Sequence, residues 1–315
     1  DPNQTYSGSI FVAKKKEGTV FSSRTDRLGA RLVAAINAIR VSRQINYDVK
    51  IGWKFHPYGI SNDGFSEIFT EEFCNEHIIS HEEVPEKLFS IEDWQKNSFV
   101  GDIMVQNCFG RVRVEGDFSE PESFAEIISS GVIRNDLISS AEEIFSRIEN
   151  DFNKCVAFHI RRGDLLSIDL SPQVVSFIDR FNPYEIFHEL YNQIIEDGEF
   201  SIIIFSDDSE AISNFPESKE IASINDYLPE GKFSVTQIAM IEILLLSKME
   251  RIYGSWSAFT ELAHLIGENQ LLLAREEILP STTLSIFYQK AIDKSLNPNE
   301  RALCLASYVD LIVQK

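Results

Sequence analysis

The chain has 315 residues, room for roughly two domains at about 150 residues each. Apolar residues make up 43% and charged residues 25%, with 15 Gly and 10 Pro, which excludes collagen-like and low-complexity classes. Lys and Arg number 29 against 49 Asp and Glu, and the formal net charge of -20 argues against sequence-independent nucleic-acid binding, which needs a basic surface. A local basic pocket for a small anion stays compatible with that balance.

In chain order, Ser9 to Ala13 and Thr19 to Ser22 read as short strands about the basic turn Lys14-Lys15-Lys16-Glu17-Gly18. Leu28, Leu32, Ala35, Ile36 and Ile39 recur at helical spacing and predict a helix from Arg27 to Arg43. Asp48 to Trp53 reads as a strand. The acidic stretch from His56 to Asn97 has few clear periods and is expected to hold loops and short helices. Asn97 to Asn107 and Arg111 to Val114 are candidate strands, and Ile133 to Ile148 a helix. The second half is more regular. Lys154 to His159 is a buried strand, and Pro183 to Ile195 a helix with Pro near its start. Ser201 to Phe205 is a nearly all-apolar strand of the kind covered on both faces. Ser209 to Phe215 is a short helix, Val235 to Lys248 a long apolar one, and Arg251 to Tyr253 a short strand. Trp256 to Ile266 is a helix stopped by Gly267, and Gln270 to Ala274 a strand. Leu284 to Ile292 and Asn299 to Val313 are terminal helices. This β-α-β-α order predicts an α/β fold with a doubly wound parallel sheet. We divide the chain into an N-terminal α/β lobe over 1–150, a Rossmann-like lobe over 151–280, and helices over 281–315 that pack on the lobes.

Cys74, Cys108, Cys155 and Cys304 are dispersed and form no C-x-x-C pair. Reduced, buried thiols are therefore expected rather than a disulfide framework or a thiolate zinc site, which favours a cytoplasmic setting. Peripheral attachment to the inner membrane is compatible with it. No transmembrane segment is expected, because the most apolar stretch, Ile238 to Leu246, is interrupted by Glu242 and falls far short of ~20 residues. The start, Asp1-Pro2-Asn3-Gln4, carries no Met and no signal pattern, so a trimmed signal or anchor stays open.

In doubly wound sheets, ligands bind beyond the carboxyl ends of the strands, and three strand ends carry candidate chemistry. In His159-Ile160-Arg161-Arg162-Gly163-Asp164 side chains alternate, so His159 and Arg161 face one way and Arg162 the other. A guanidinium fork matches phosphate oxygens at any useful pH. Gly163 allows a tight turn, and Asp164 orients an arginine or caps the turn. Two isolated arginines would more often make a surface turn with an Arg–Asp ion pair; the six residues together favour an anion site. Gly254-Ser255-Trp256-Ser257 lies between a strand and a helix. Ser255 is a good N-cap, and the free N–H groups of a helix start suit phosphate, although capping its own helix is the simpler role. Ser206-Asp207-Asp208 has D-D rather than D-x-D spacing. Asp207 reads as a carboxylate accepting from a base or ribose and Asp208 as a cap, with a purely structural role equally open. His77 and His81 lie four apart, but no third ligand is near, so no metal site is expected. No G-x-S-x-G elbow, Walker A loop or G-x-G-x-x-G is present.

HIRRGD, followed about 40 residues later by IIIFSDD and then by IYGSWSAFTELAHLIG, resembles the fucosyltransferase superfamily. Its members include the α-1,2- and α-1,6-fucosyltransferases, the bacterial nodulation fucosyltransferase and the protein O-fucosyltransferases. Ser23-Arg24-Thr25-Asp26-Arg27-Leu28-Gly29-Ala30-Arg31 is similar to their N-terminal glycine loop before a long helix. The resemblance covers roughly Val20 to Leu273, with a poorly matched middle. It implies a two-lobed GT-B fold with Rossmann-like parallel sheets, and an inverting transfer from GDP-fucose to a glycan or glycoconjugate hydroxyl, as in polysaccharide biosynthesis. It implies no bound metal and no cofactor beyond the donor substrate. The first lobe would be the acceptor side and 151–280 the nucleotide-sugar side. Arg161 would hold the β-phosphate, His159 would line the nucleotide site, Asp207 would sit near the guanine, and Ser255 and Ser257 near the phosphates. Arg162 and Gly29 complete the implied donor-binding set. Arg161 and Asp164 are the catalytic candidates, with Asp169 or a residue of the first lobe as alternatives to Asp164 as base. Fixed cationic and N–H donors stabilise a leaving diphosphate as Mg²⁺ would. Ala30 stands where family loops often carry a polar residue, and GSWSAFTELA lacks the paired tryptophans of the α-1,2 branch. The alternatives are a transferase using another GDP-sugar and a non-catalytic nucleotide-sugar binder.

Overall fold

The computed structural model describes residues 18–53, 64–96, 100–116, 118–167 and 174–313. The strand expected at Ser9 to Ala13 lies outside them. The first half runs β1 (Thr19–Ser22), α1 (Leu28–Ile45), β2 (Asp48–Ile51), α2 (Gly64–Ile68), α3 (Glu71–His77), α4 (Ile91–Lys96), β3 (Ile103–Met104), α5 (Phe124–Ile127) and α6 (Asn135–Asp151). The second runs β4 (Cys155–Ile160), α7 (Gly163–Ser167), α8 (Tyr184–Asp197), β5 (Ser201–Ser206), β6 (Ile221–Ser223) and α9 (Val235–Leu246). It ends with β7 (Arg251–Gly254), α10 (Ala258–Gly267), β8 (Gln270–Leu273), α11 (Pro280–Ile292) and α12 (Pro298–Val313).

Among the described residues these strands make two all-parallel sheets, ordered β2-β1-β3 and β6-β5-β4-β7-β8. Counted from β4, the second sheet runs 3-2-1-4-5, the doubly wound order expected from alternating strands and helices. β4 and β5 pair from Cys155 with Ser201 to Ile160 with Ser206, and their apolar side chains are buried on both faces. One apolar cluster runs from Val20 and α1 through Ile144 and Ile148 of α6 to Met240 and Leu244 of α9 and Leu262 of α10, so the two sheets share a core. A second cluster lies on the other side of the larger sheet, where Phe158, Phe187 and Ile204 meet Phe287 and Leu303 of the terminal helices.

Of the 18 residues in α1, only Arg43 is exposed. A helix buried all round must answer each of its polar groups. The Asn37 side chain donates to the Gly110 carbonyl at 3.1 Å and accepts from the Val112 N–H at 2.9 Å. Gln44 accepts from the Val114 N–H at 3.1 Å and donates to its carbonyl at 3.0 Å. One face of α1 thus stands in for a neighbouring strand, which is why Arg111 to Val114, expected as a strand, joins neither sheet. The strand expected over Asn97 to Asn107 shrinks to Ile103–Met104, with 97–99 outside the described residues. Ser209 to Phe215 holds only a 3-10 turn at Ala211–Asn214. β6 carried no sequence signal, because three residues are too few to show a period. Gly267 is the last residue of α10 rather than its left-handed stop; that conformation falls on Glu268, at φ 54°. A Cβ on Gly267 would lie 1.8 Å from the Ser247 carbonyl oxygen at the end of α9, so close packing requires the glycine. No helix among the described residues is long and apolar enough to cross a membrane.

Candidate functional site

In the larger sheet the winding reverses between β4 and β7, and in doubly wound sheets the ligand crevice lies beyond the carboxyl ends of the strands at that point. HIRRGD leaves β4 at this point and GSWS leaves β7. A Cβ on Gly254 would lie 3.4 Å from the His159 Cβ, so the two strand ends touch. The His159 ring stacks on Phe259 in the first turn of α10, with centroids 5.4 Å apart and planes 19° apart. The smaller sheet reverses between β1 and β3. There Arg24 donates to the Gln106 carbonyl, and the Gln106 side chain donates to the Ser23 carbonyl at 2.9 Å.

The carboxyl edges of the two sheets meet where α1 and α10 begin. A Cβ on Gly29 would lie 2.7 Å from the Phe259 nitrogen. Gly29 is therefore the residue that lets the two helix starts approach, a packing duty distinct from the donor contact that the resemblance implies. Two helix N-termini bring partial positive charge and free N–H groups to one place. The N-cap of α1 is Arg27, whose donor-only side chain makes no cap hydrogen bond.

Along HIRRGD, half-buried His159 and Arg161 alternate with buried Ile160 and Arg162. Arg161 thus shares the accessible side with His159, as strand alternation predicts. Arg162 is turned into the lobe, and its place in the donor set is corrected. Its Nη2 meets Glu300 Oε2 at 2.9 Å in a buried ion pair, and its guanidinium lies 4.3 Å from the Tyr184 ring centroid. The Asp207 carboxylate accepts from the Arg162 backbone N–H at 2.7 Å, so one of its oxygens holds the turn. Asp208 accepts from the Glu210 N–H at 3.0 Å and from the Tyr184 hydroxyl at 2.7 Å; it closes a turn rather than capping a helix, since the N-cap of the 3-10 turn that follows is Glu210. Ser255 is not the helix cap. Ser257 is, accepting from the Phe259 N–H at 3.2 Å. Ser255 is 3% exposed, and its hydroxyl has no hydrogen-bond partner among the described residues. A buried hydroxyl of that kind is costly unless a ligand answers it. Asp164 falls in the first turn of α7; its side chain, like all of Asp169, lies outside the described residues.

Several site residues escaped the sequence reading. Glu242, visible there only as a break in an apolar run, is half-buried in α9. Burial pushes its carboxyl up to about 7, with the nearby Asp207 charge adding to the rise. A lone carboxylate in an otherwise apolar helix was the available signal. Arg24 pairs with Asp26 at the crevice edge. Burial raises the Cys108 thiol above its ordinary value, while Arg24 and Arg180, one from each half of the chain, act against it. Trp256, 47% exposed, leans on Phe109 of the first half at 5.6 Å between ring centroids. The two histidines set aside as metal ligands go separate ways. His77 contacts the Val49 carbonyl at 3.1 Å, and His81 the Ser23 hydroxyl at 2.8 Å. No group of three metal-ligating side chains occurs among the described residues.

Fold and site together define an α/β protein with two parallel sheets, whose candidate residues gather at the carboxyl ends of the strands where the winding reverses. No family model matches the chain, and no curated protein matches it. The solved structures it resembles include NodZ α-1,6-fucosyltransferase co-crystallised with GDP, 13% identical over 80% of this chain and 93% of that one, at a TM-score of 0.46. Fucosyltransferase NodZ from Bradyrhizobium matches at 13% identity over 80% and 94%, with a TM-score of 0.45. POFUT1 in complex with GDP-fucose matches at 12% identity over 82% and 98%, with a TM-score of 0.41. At TM-scores below 0.5, such likenesses carry no weight of their own.

Proposed function

We propose that the chain is a metal-independent, inverting glycosyltransferase of GT-B type that moves fucose from GDP-fucose to a glycan or glycoconjugate hydroxyl. One observation carries this reading. The HIRRGD strand end, the partnerless Ser255 hydroxyl and the paired starts of α1 and α10 converge on one switch-point crevice. These are the segments by which the sequence resembles fucosyltransferases. Residues 1–150 form the acceptor lobe in this reading and 151–280 the donor lobe.

The donor diphosphate lies over the start of α10, within reach of Ser255 and Arg161. The acceptor oxygen attacks the anomeric carbon, the bond from that carbon to the β-phosphate oxygen breaks, and GDP leaves with the electron pair. Negative charge grows on the diphosphate as the bond breaks, so a guanidinium and fixed N–H donors stabilise the transition state more than the ground state. Asp164 takes the acceptor proton. Guanine presents adjacent N–H donors, which a carboxylate accepts. With one Asp207 oxygen committed to the Arg162 amide, Glu242, close enough for the Asp207 charge to raise its carboxyl, would be the second carboxylate to meet the base.

The test is thermal shift with GDP, UDP and ADP, followed by turnover of GDP-fucose with and without EDTA. GDP alone should stabilise the protein, and turnover should survive the chelator. Equal shifts with all three nucleotides would remove the guanine assignment. Rescue by Mg²⁺ after complete loss in EDTA would remove metal independence. Binding of GDP-fucose without turnover on any glycan would leave the non-catalytic binder as the correct reading.

A further inference from the structure

We propose that the first turn of α12 belongs to the donor site, with Glu300 and Asn299 acting as positioning residues that hold the β4–α7 turn and so aim Arg161. This rests on the donor reading above and extends the machinery to a helix 138 residues beyond Arg162.

The turn between β4 and α7 is held at Arg162, and the helix it leads into is held as well. At its start, Arg162 donates through its side chain to Glu300 at 2.9 Å and through its backbone N–H to Asp207 at 2.7 Å. Beyond the turn, within α7, the Asn299 side chain donates to the Leu166 carbonyl at 3.0 Å. Arg161 sits between the last residue of β4 and the doubly held Arg162, so the peptide that sets its direction is fixed by these contacts. The Arg162–Glu300 pair is also buried, with side-chain exposures of 9% and 7%. A buried ion pair is a poor device for stability alone, since apolar residues of the same volume commonly do as well or better. What it supplies is one defined orientation. Without Glu300, the buried Arg162 charge loses its closest partner and is drawn outward to Asp208, whose carboxylate already lies 3.9 Å from its Nε. That movement carries the turn, and Arg161 with it.

The experiment measures GDP affinity and steady-state turnover of GDP-fucose for Glu300→Gln and Asn299→Ala, each alone and combined with Arg161→Ala. A misplacement of about 1 Å costs roughly 100-fold, so each single variant should lose roughly 10- to 100-fold in kcat while KM for the acceptor is unchanged. In the Arg161→Ala background, the same changes should cost nothing further, because they act through the missing side chain. Asn299→Ala leaves no buried charge and keeps the test open if Glu300→Gln does not fold. A folded variant with wild-type turnover overturns the proposal, as does an equal loss with and without Arg161. A wild-type protein that neither binds GDP nor turns over donor overturns the donor reading instead.

Discussion

Removing the Arg161 guanidinium should cost roughly 10²–10³ in turnover, the usual effect of losing one donor aimed at developing charge. Arg161→Lys keeps the charge but loses the planar fork and should also be badly impaired. Turnover of folded Arg161→Ala near the wild-type rate would remove the centre of the functional reading. Its neighbour should behave differently. Arg162→Met leaves Glu300 charged and buried, and should lower stability by about 3–5 kcal/mol in chemical denaturation. Glu242 gives a pH signature. Its carboxyl titrates near 4.5 when unfolded and at about 7 when folded, so the folded state holds the proton more tightly. The resulting stability is complete below about pH 4.5 and is lost as the pH rises through 7. Between pH 5 and 8, Glu242→Gln should therefore gain about 2 kcal/mol on the wild type. If the ionised carboxylate accepts from guanine, GDP should bind more tightly at pH 8 than at pH 6 in the wild type. Comparison with Glu242→Gln cancels the titration of the phosphate itself, whose second pKa is about 6. Affinities that run parallel in the two proteins would detach Glu242 from the base.

At the level of elements, the decisive contact is the meeting of α1 and α10. Gly29→Ala sets a methyl group against the Phe259 backbone, which cannot rotate away as a flexible side chain would. It should destabilise by about 1–3 kcal/mol and weaken GDP binding, because the helix starts are pushed apart. Ser257→Ala removes the cap of α10 and should cost about 1 kcal/mol. A melt of each variant without GDP reads the two stability costs, and a melt with GDP should show Gly29→Ala losing part of the GDP-induced shift. The helices α1, α6, α8 and α9 were legible from period and composition, because each buries a long apolar face. Arg111 to Val114 was misread for an equally physical reason. Its alternation matches a strand, yet its N–H groups are met by Asn37 and Gln44, side chains 75 and 70 positions away. Ser255 has the residue type of an N-cap and directly follows strand β7. The first helical turn starts two residues later, which frees its hydroxyl for the crevice.

Across the whole molecule, one apolar cluster passes from β1 and α1 through α6 into α9 and α10. The two sheets should therefore unfold together. Trp53 and Trp94 are buried in the first half, so tryptophan fluorescence should trace the same transition as far-ultraviolet circular dichroism. Saturation with GDP at 100 times its dissociation constant should raise the apparent stability by about 2.7 kcal/mol in both signals at once. Two separated transitions, with GDP moving only one, would show lobes that fold independently. The amino-acid sequence by itself determined the parallel, doubly wound character of the second half, because apolar strands covered on both faces and intervening helices allow little else. It also determined that His159 and Arg161 face one side and Arg162 the other, since alternation along a strand is local geometry. What each acidic residue does was decided only by the tertiary structure. Asp207 stands out in the sequence by its strand end, Glu242 only as a break in an apolar run and Glu300 not at all, and their distinct duties come from a backbone amide brought over 45 residues, from burial, and from a cation brought over 138. Charges respond to their surroundings through space, and one strand's periodicity carries no record of what the rest of the chain packs against it.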